Sequence, residues 1–132
     1  KNFAKTILKL AFTSKNQIKV VNDQTGQPTS AFDLAKQLMA SIDRSIKPGI
    51  YHATNSGEAT WYEFAREILS LIGDDPERVQ PIKSSELTRL APRPSYSVLG
   101  HDCWMGSGVA PLKNWREALA LQIENLKFAL IE

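Results

Sequence analysis

Two short loops of this 132-residue chain concentrate the side chains that could bind a ligand. The first is the turn from Asp23 to Thr29, where amide and hydroxyl side chains crowd together just after an apolar run. Such groups recognise the edges of sugars or nucleobases. The same groups also satisfy the backbone of a turn without any ligand. The chemistry of the turn therefore leaves both interpretations open.

The second loop, Ala91 to Ser97, carries an arginine between two prolines. Arg93 follows Pro92 and precedes Pro94, and three residues with hydroxyl groups come after them. A guanidinium on a stiff loop suits a phosphate group. The alternative is a solvated surface charge, which is the commonest situation of an arginine.

Residue patterns for catalysis, metals and cofactors are sparse. The sequence has two histidines, and neither has a partner at the spacing of a metal cluster. The adjacent residues His101, Asp102 and Cys103 point their side chains in different directions, so an ordinary loop is favoured over a metal site there. Gly106-Ser107-Gly108 lacks the preceding strand and the third glycine of a dinucleotide loop. We expect this chain to contain no catalytic residue and to bind neither a metal nor a cofactor.

Apolar periodicity predicts helices interleaved with a few short strands, and hence a mixed α/β fold. Capping residues mark helix starts at Asn2, Thr60 and Asn114, and a further helix is expected over about Ser30–Arg44. Strands are expected at 18–21, 50–53 and 79–82, the second of them mostly buried with His52 as a structural histidine.

Two further predictions concern packing. The helix at Ser30–Arg44 is expected to bury an apolar stripe, which consists of Leu34, Ala35, Leu38, Met39 and Ile42. The aromatic residues at helix starts are expected to pack against the core and not to stack on a ligand. These are Trp61, Tyr62 and Trp115.

Composition narrows the class of protein. With 42% apolar and 23% charged residues the chain is typical of a globular domain, and its length fits one domain. A net charge of +2 lacks the electrostatic footprint of a nucleic-acid binder, and we expect no membrane span. A single cysteine, Cys103, and no evident signal peptide fit a reducing cytoplasm. The chain opens on Lys1 without an initiator methionine, so we expect a piece of a longer protein.

Five separated motifs occur in an order that resembles dTDP-4-dehydrorhamnose reductase, a family of extended short-chain dehydrogenases. The resemblance runs from Asn2 nearly to the end of the chain. The motifs are DQTGQPT at Asp23–Thr29, GIYH at Gly49–His52, TWYEFA at Thr60–Ala65, RPSYSVL at Arg93–Leu99 and WREAL at Trp115–Leu119.

The resemblance implies a fold and a reaction. Residues 1–132 are expected to form a single substrate-binding domain, the C-terminal part of a Rossmann-like extended short-chain dehydrogenase fold. The N-terminal Rossmann portion, which binds NADPH in this family, is expected to lie outside this sequence. The family's whole enzyme reduces dTDP-6-deoxy-L-lyxo-4-hexulose to dTDP-L-rhamnose for polysaccharide precursors.

The catalytic Tyr-x-x-x-Lys pair of the family is also absent. The three tyrosines, Tyr51, Tyr62 and Tyr96, are followed four residues later by Asn55, Arg66 and Gly100. The chain alone is therefore expected to be inactive, with the missing Rossmann domain as its partner and a homodimer as a further expectation.

By the same resemblance, substrate-binding roles fall on Gln24, Gln27, Thr29 and Arg93, which are expected to contact a dTDP-sugar. The segment Gly100 to Trp104 departs from the family pattern, so no contact carries over to it. Two alternatives stay open: a non-catalytic relative such as the regulatory subunit of methionine adenosyltransferase, and a reductase or epimerase of another nucleotide sugar.

Overall fold

The computed structural model describes residues 2–87 and 91–128, and all structural statements below refer to them. Helices and strands alternate along the chain. They are α1 (Phe3–Thr13), β1 (Ile18–Val21), β2 (Thr25–Gly26), α2 (Ala31–Asp43), β3 (Ala59–Thr60), α3 (Trp61–Leu71), β4 (Val79–Ile82) and α4 (Trp115–Phe128). Short 3₁₀ turns lie at Pro76–Arg78, Ser84–Glu86 and Asp102–Trp104. The mixed α/β class is confirmed, and no helix in this part of the chain is long and apolar enough to cross a membrane.

The strands form two small sheets. β1 and β4 pair in parallel, with Ile18 opposite Val79 and Val21 opposite Ile82. β2 and β3 pair antiparallel, with Thr25 opposite Thr60. The first sheet belongs to the core, whereas the second lies beside the loops that could bind a ligand.

Helices α1, α3 and α4 pack together beside the parallel strands, and the core lies between them. Its most deeply buried side chains are Leu8, Ala65, Ile68, Leu69, Val79 and Trp115. Local signals place these helices. The Asn2 side chain accepts a hydrogen bond from Lys5 N at 3.1 Å, and Thr60 and Glu63 form a reciprocal capping box. The predicted starts of α1 and α3 are therefore confirmed.

The predicted buried face of α2 is wrong. Leu38, Met39 and Ile42 are 56%, 59% and 70% exposed, while the buried residues of the helix are Asp33 and Gln37. The apolar stripe has the predicted helical spacing, but it faces outward in this chain. Polar contacts hold the opposite face against the protein.

Those contacts centre on two buried polar residues, Asp33 and Asn55. Lys113 Nζ lies 2.8 Å from one carboxylate oxygen of Asp33, and the Asn55 side-chain amide donates to the other at 2.9 Å. Asn55 Oδ1 accepts from Ser30 N at 2.7 Å, and its amide also donates to the Lys113 carbonyl at 3.0 Å. Burial raises the pKa of Asp33, but the hydrogen bonds from Lys113 and Asn55 outweigh it and lower that pKa. The start of α2 is thus fixed through ionic and amide groups.

The predicted strand at 50–53 is also wrong for this structure. These residues form no sheet pairing, and Ile50 is 80% exposed. A strand needs a neighbour for its backbone groups, and none of the described residues supplies one. The stretch instead contacts the loop around residue 104, where the indole of Trp104 donates to the His52 carbonyl at 2.8 Å.

Candidate functional site

The antiparallel pair β2–β3 brings the two polar loops together. Thr25 lies in the first loop and donates from its backbone N–H to the Ser95 carbonyl at 2.8 Å. The Ser97 N–H donates back to the Thr25 carbonyl at 2.9 Å. Residues 95–97 of the arginine loop therefore lie along one side of β2, and β3 lies along the other. These backbone hydrogen bonds join three segments that are distant in sequence.

A cleft of about 360 Å³ opens beside this junction. Three of the four sequence-predicted binding residues line it, namely Gln24, Gln27 and Arg93. Thr29 lies outside it and lines a neighbouring groove of about 540 Å³ between the ends of the helices. The structure thus brings together most of the predicted set, and the contacts of that set with a substrate stay a prediction.

Gln24 and Arg93 present the functional groups best suited to a ligand. Gln24 is 6% exposed, and none of the described residues makes a hydrogen bond to its side-chain amide. Arg93 is exposed, and none of the described carboxylates lies within 4.0 Å of its guanidinium. A cation with no counter-charge among the described residues, lining the same cleft as an amide, suits a phosphate with a further polar group.

Gln27 and Thr29 already have protein partners. The Gln27 side chain accepts from Leu99 N at 2.8 Å and donates to the Leu99 carbonyl at 3.3 Å. The Thr29 hydroxyl donates to the Gln27 carbonyl at 2.9 Å and accepts from Asn55 N at 3.3 Å. These two residues therefore support the backbone around the cleft.

Two carboxylates fix the edges of the site. Asp23 accepts hydrogen bonds from Ser84 N and from the Ser84 hydroxyl, at 3.0 and 2.8 Å. These bonds from Ser84 lower the pKa of Asp23. The Tyr96 hydroxyl donates to Glu58 at 2.8 Å, and this bond raises the pKa of Tyr96. Both carboxylates thus tie a ligand loop to a separate segment of the chain.

Trp61 is predicted from the sequence only to pack against the core, but it also lines the cleft. Its ring lies 4.7 Å from the Phe3 ring, centroid to centroid, so the packing role is confirmed. The same side chain is 38% exposed and lines the cleft. The capping box at Thr60 placed Trp61 at the start of α3, but only the pairing of β3 with β2 brings that helix start to the ligand loops.

The described residues include no cluster of three or more His, Cys, Asp or Glu side chains that could hold a metal ion. His101 contacts the Thr54 hydroxyl, and Cys103 is exposed. For a dinucleotide the sequence offers no glycine-rich phosphate loop after a strand, so these residues do not fit NADPH. No chemical step of such a cofactor is assigned to this chain.

Comparison with protein families matches residues 1–128 to the RmlD substrate binding domain. A curated relative from Streptomyces antibioticus, a probable dTDP-4,6-dihydroxy-2-methyloxan-3-one 4-ketoreductase, is 53% identical over 77% of this chain and 35% of its own length. A dTDP-4-dehydrorhamnose reductase from Streptomyces griseus is 43% identical over 89% of this chain and 40% of its own length.

Solved structures agree with the fold. The dTDP-4-dehydrorhamnose reductase of Clostridium acetobutylicum superposes with a TM-score of 0.87 at 38% identity, over 96% of this chain and 44% of that one. The enzyme of Bacillus anthracis, solved in complex with NADP, gives 0.81 at 32% identity, over 95% of this chain and 42% of that one. The chain thus spans well under half the length of these proteins.

Proposed function

Because this chain belongs to the RmlD substrate binding domain family, we propose that it is the dTDP-sugar-binding part of a dTDP-4-dehydrorhamnose reductase. The whole enzyme would reduce dTDP-6-deoxy-L-lyxo-4-hexulose to dTDP-L-rhamnose with NADPH. The observation that carries the proposal is the junction of the polar turn with the arginine loop around one cleft. Nucleotide sugars and NADPH are cytoplasmic metabolites, and the cytoplasm is the compartment that we propose.

In this proposal the chain binds and orients the substrate. Arg93 contacts the diphosphate, because its guanidinium is exposed at the cleft on a loop stiffened by two prolines. Gln24 presents its amide to the nucleoside or sugar. Gln27 and Thr29 act at the same site, where their hydrogen bonds hold the turn in shape. The hydride and the catalytic proton come from outside this chain, because its sequence has no Tyr-x-x-x-Lys pair.

The outward apolar face of α2 supports a protein partner. Leu38, Met39 and Ile42 lie on it, and Ile50 is exposed in the unpaired stretch after the helix. Large exposed apolar patches mark protein–protein interaction sites. The relatives possess additional chain that this sequence lacks. We therefore propose that a cofactor-binding Rossmann portion covers this face, and that a second copy of the chain does so when that portion is missing.

Calorimetric titration of dTDP tests the binding role of this chain. We expect saturable binding that Arg93→Ala weakens by roughly 10- to 100-fold, since charged hydrogen bonds contribute about 1.5–3 kcal/mol. Lys9→Ala, on the exposed side of α1, is the matched control and should bind as the unaltered chain does. Equal binding by the Arg93→Ala variant would remove Arg93 from the site.

A chimera tests the reaction. Residues 1–128 replace the matched segment of the Streptomyces griseus reductase, and NADPH oxidation is followed with dTDP-6-deoxy-L-lyxo-4-hexulose. We expect turnover that depends on Arg93. A chimera that folds and binds NADPH, but reduces no keto sugar, would contradict the proposal and favour the non-catalytic alternative.

A second candidate substrate has support from one relative. The Streptomyces antibioticus protein, at 53% identity, is named as a 4-ketoreductase of a different dTDP-sugar. Assaying the chimera with several dTDP-4-keto sugars separates the two candidates. Both candidate substrates carry the same nucleotide, so they differ only in the sugar that the site must accept.

A further inference from the structure

We propose that Gln27, Thr54 and His101 are positioning residues that hold the arginine loop in its binding conformation. In this proposal Gln27 acts on the phosphate through the position of Arg93. The idea rests on the proposed function of the cleft. It also gives a role to His101, which lies in the segment that departs from the family pattern.

The orientation of the Gln27 amide follows from the backbone. Leu99 N–H can only donate, so the atom 2.8 Å away is the oxygen Oε1. The Leu99 carbonyl can only accept, so the atom 3.3 Å away is the nitrogen Nε2. The side chain of Gln27 therefore binds both backbone groups of Leu99, as a neighbouring strand would.

The direction of the remaining bonds follows from this orientation. Thr54 Oγ1 lies 2.9 Å from Gln27 Oε1 and must donate its single proton to it. His101 Nε2 lies 2.7 Å from the same hydroxyl, which has only acceptor capacity left. His101 must then donate from Nε2–H. The three side chains form a chain of hydrogen bonds that ends at the backbone of Leu99, two residues beyond the arginine loop.

These hydrogen bonds fix the backbone at a second point, just after the arginine loop. The first point is the pair of backbone bonds between Thr25 and residues 95–97. The second is Leu99, held by Gln27. Both points lie C-terminal to Arg93, so together they extend the pairing of residues 95–99 with residues 25–27 and stiffen the base from which Arg93 projects. A stiffer base leaves less conformational freedom to lose when a phosphate binds. Loss of the second point should therefore weaken phosphate binding without changing the groups that touch the nucleoside.

A matched pair of variants at Thr54 tests the proposal. Thr54→Val keeps the shape and removes the hydroxyl, whereas Thr54→Ser keeps the hydroxyl. Nuclear magnetic resonance titrations measure the affinity of each variant for dTDP and for thymidine, which has no phosphate. We expect Thr54→Val to bind dTDP roughly fivefold more weakly, as for one lost hydrogen bond. Thymidine binding should stay unchanged, and Thr54→Ser should bind dTDP within about twofold of the original chain.

A double variant separates positioning from a direct contact. In an Arg93→Ala background, Thr54→Val should cause no further loss of dTDP affinity, because the two changes act through the same contact. Independent losses that add in the double variant would overturn the proposal. So would an equal loss of dTDP and thymidine binding in Thr54→Val, since that pattern indicates general damage to the fold.

Amide hydrogen exchange tests the positioning without any nucleotide. Exchange at Leu99 and Ser97 should be faster in Thr54→Val than in Thr54→Ser, while the core amide of Ile68 stays unchanged in both. Unchanged exchange at Leu99 would overturn the proposal whether or not dTDP binds. A chain with the expected exchange pattern but no affinity for dTDP would contradict the proposed function and leave the positioning of the loop established.

Discussion

Several residues in this protein have roles that differ from the roles that their residue types suggest. Gln27 looks like a ligand contact in the sequence, yet its side chain holds the backbone of Leu99. Trp61 looks like a packing residue, yet it also lines the cleft. Sequence chemistry identifies which groups can make hydrogen bonds, but it does not say which partner takes them.

The two histidines should occupy opposite neutral tautomers. His52 Nδ1 lies 3.2 Å from the Gly100 carbonyl and must donate to it, whereas His101 donates from Nε2 to Thr54. Nitrogen-15 chemical shifts of the neutral imidazole rings should report Nδ1–H for His52 and Nε2–H for His101. The same tautomer at both positions would contradict this hydrogen-bond arrangement.

Replacing Asn55 should lower the stability of the fold. It is fully buried and serves Ser30, Asp33 and Lys113 at once. Asn55→Ala leaves the partly buried Ser30 N–H and a buried carboxylate oxygen of Asp33 without their partners, so we expect a loss of about 3 kcal/mol in the free energy of unfolding. Urea denaturation measures it, with the exposed Asn125→Ala as control. A loss no larger than that of the control would show that water replaces these bonds.

Asp33 should make stability fall in acid. Its pKa in the fold is lowered, so its contribution is complete above its unfolded pKa and is lost as the pH falls through the folded pKa. We expect the stability advantage of the original chain over Asp33→Asn to shrink when urea denaturation is moved from about pH 7 to about pH 3. A constant difference between the two proteins would contradict the sign of this shift.

At the scale of elements, local signals specify where helices begin, but not which face they bury. The capping box at Thr60 and the cap at Asn2 predict α3 and α1 correctly, because capping bonds lie within one turn. The predicted apolar stripe of α2 is present, but the prediction that it is buried is wrong. A periodic pattern shows that one face of a helix is apolar and would be stabilised by an apolar partner. It does not show whether this chain supplies that partner.

The outward stripe of α2 should tolerate charge. Ile42 is 70% exposed, so Ile42→Glu should change the free energy of unfolding by no more than about 0.5 kcal/mol and reduce self-association. The control is Ile68→Ala on α3, which is fully buried and should cost about 2–5 kcal/mol. Urea denaturation and sedimentation velocity measure the two effects. A severe loss of stability in Ile42→Glu would mean that the stripe packs within the chain.

At the scale of the whole molecule, the proposed substrate cleft lies beside the junction of β2 and β3, and the surface around α2 lacks a partner among the described residues. The stretch 50–53 has the composition of a strand without a neighbour, and the proposed Rossmann portion would supply one. The chain belongs to the RmlD substrate binding domain family, and it spans less than half the length of the solved reductase that it resembles.

Joining this chain to that portion should order the unpaired stretch. In the chimera with the Streptomyces griseus reductase, the backbone amides at 50–53 should exchange more slowly than in the isolated chain, because pairing in a sheet protects them. Exchange at α3 serves as the internal control, since its core is the same in both proteins. Equal exchange at 50–53 would place the contact of the other portion elsewhere.

The sequence by itself determined the helix starts, the strands β1 and β4, the absence of a dinucleotide loop and, through its five ordered motifs, the family. These features depend on neighbouring residues or on motif order, and both can be read along the chain. Only the tertiary structure decided that the polar turn and the arginine loop meet at β2, that Gln27 binds Leu99, and that the apolar face of α2 points outward. Each of these depends on which distant group lies opposite, and periodicity carries no information about that.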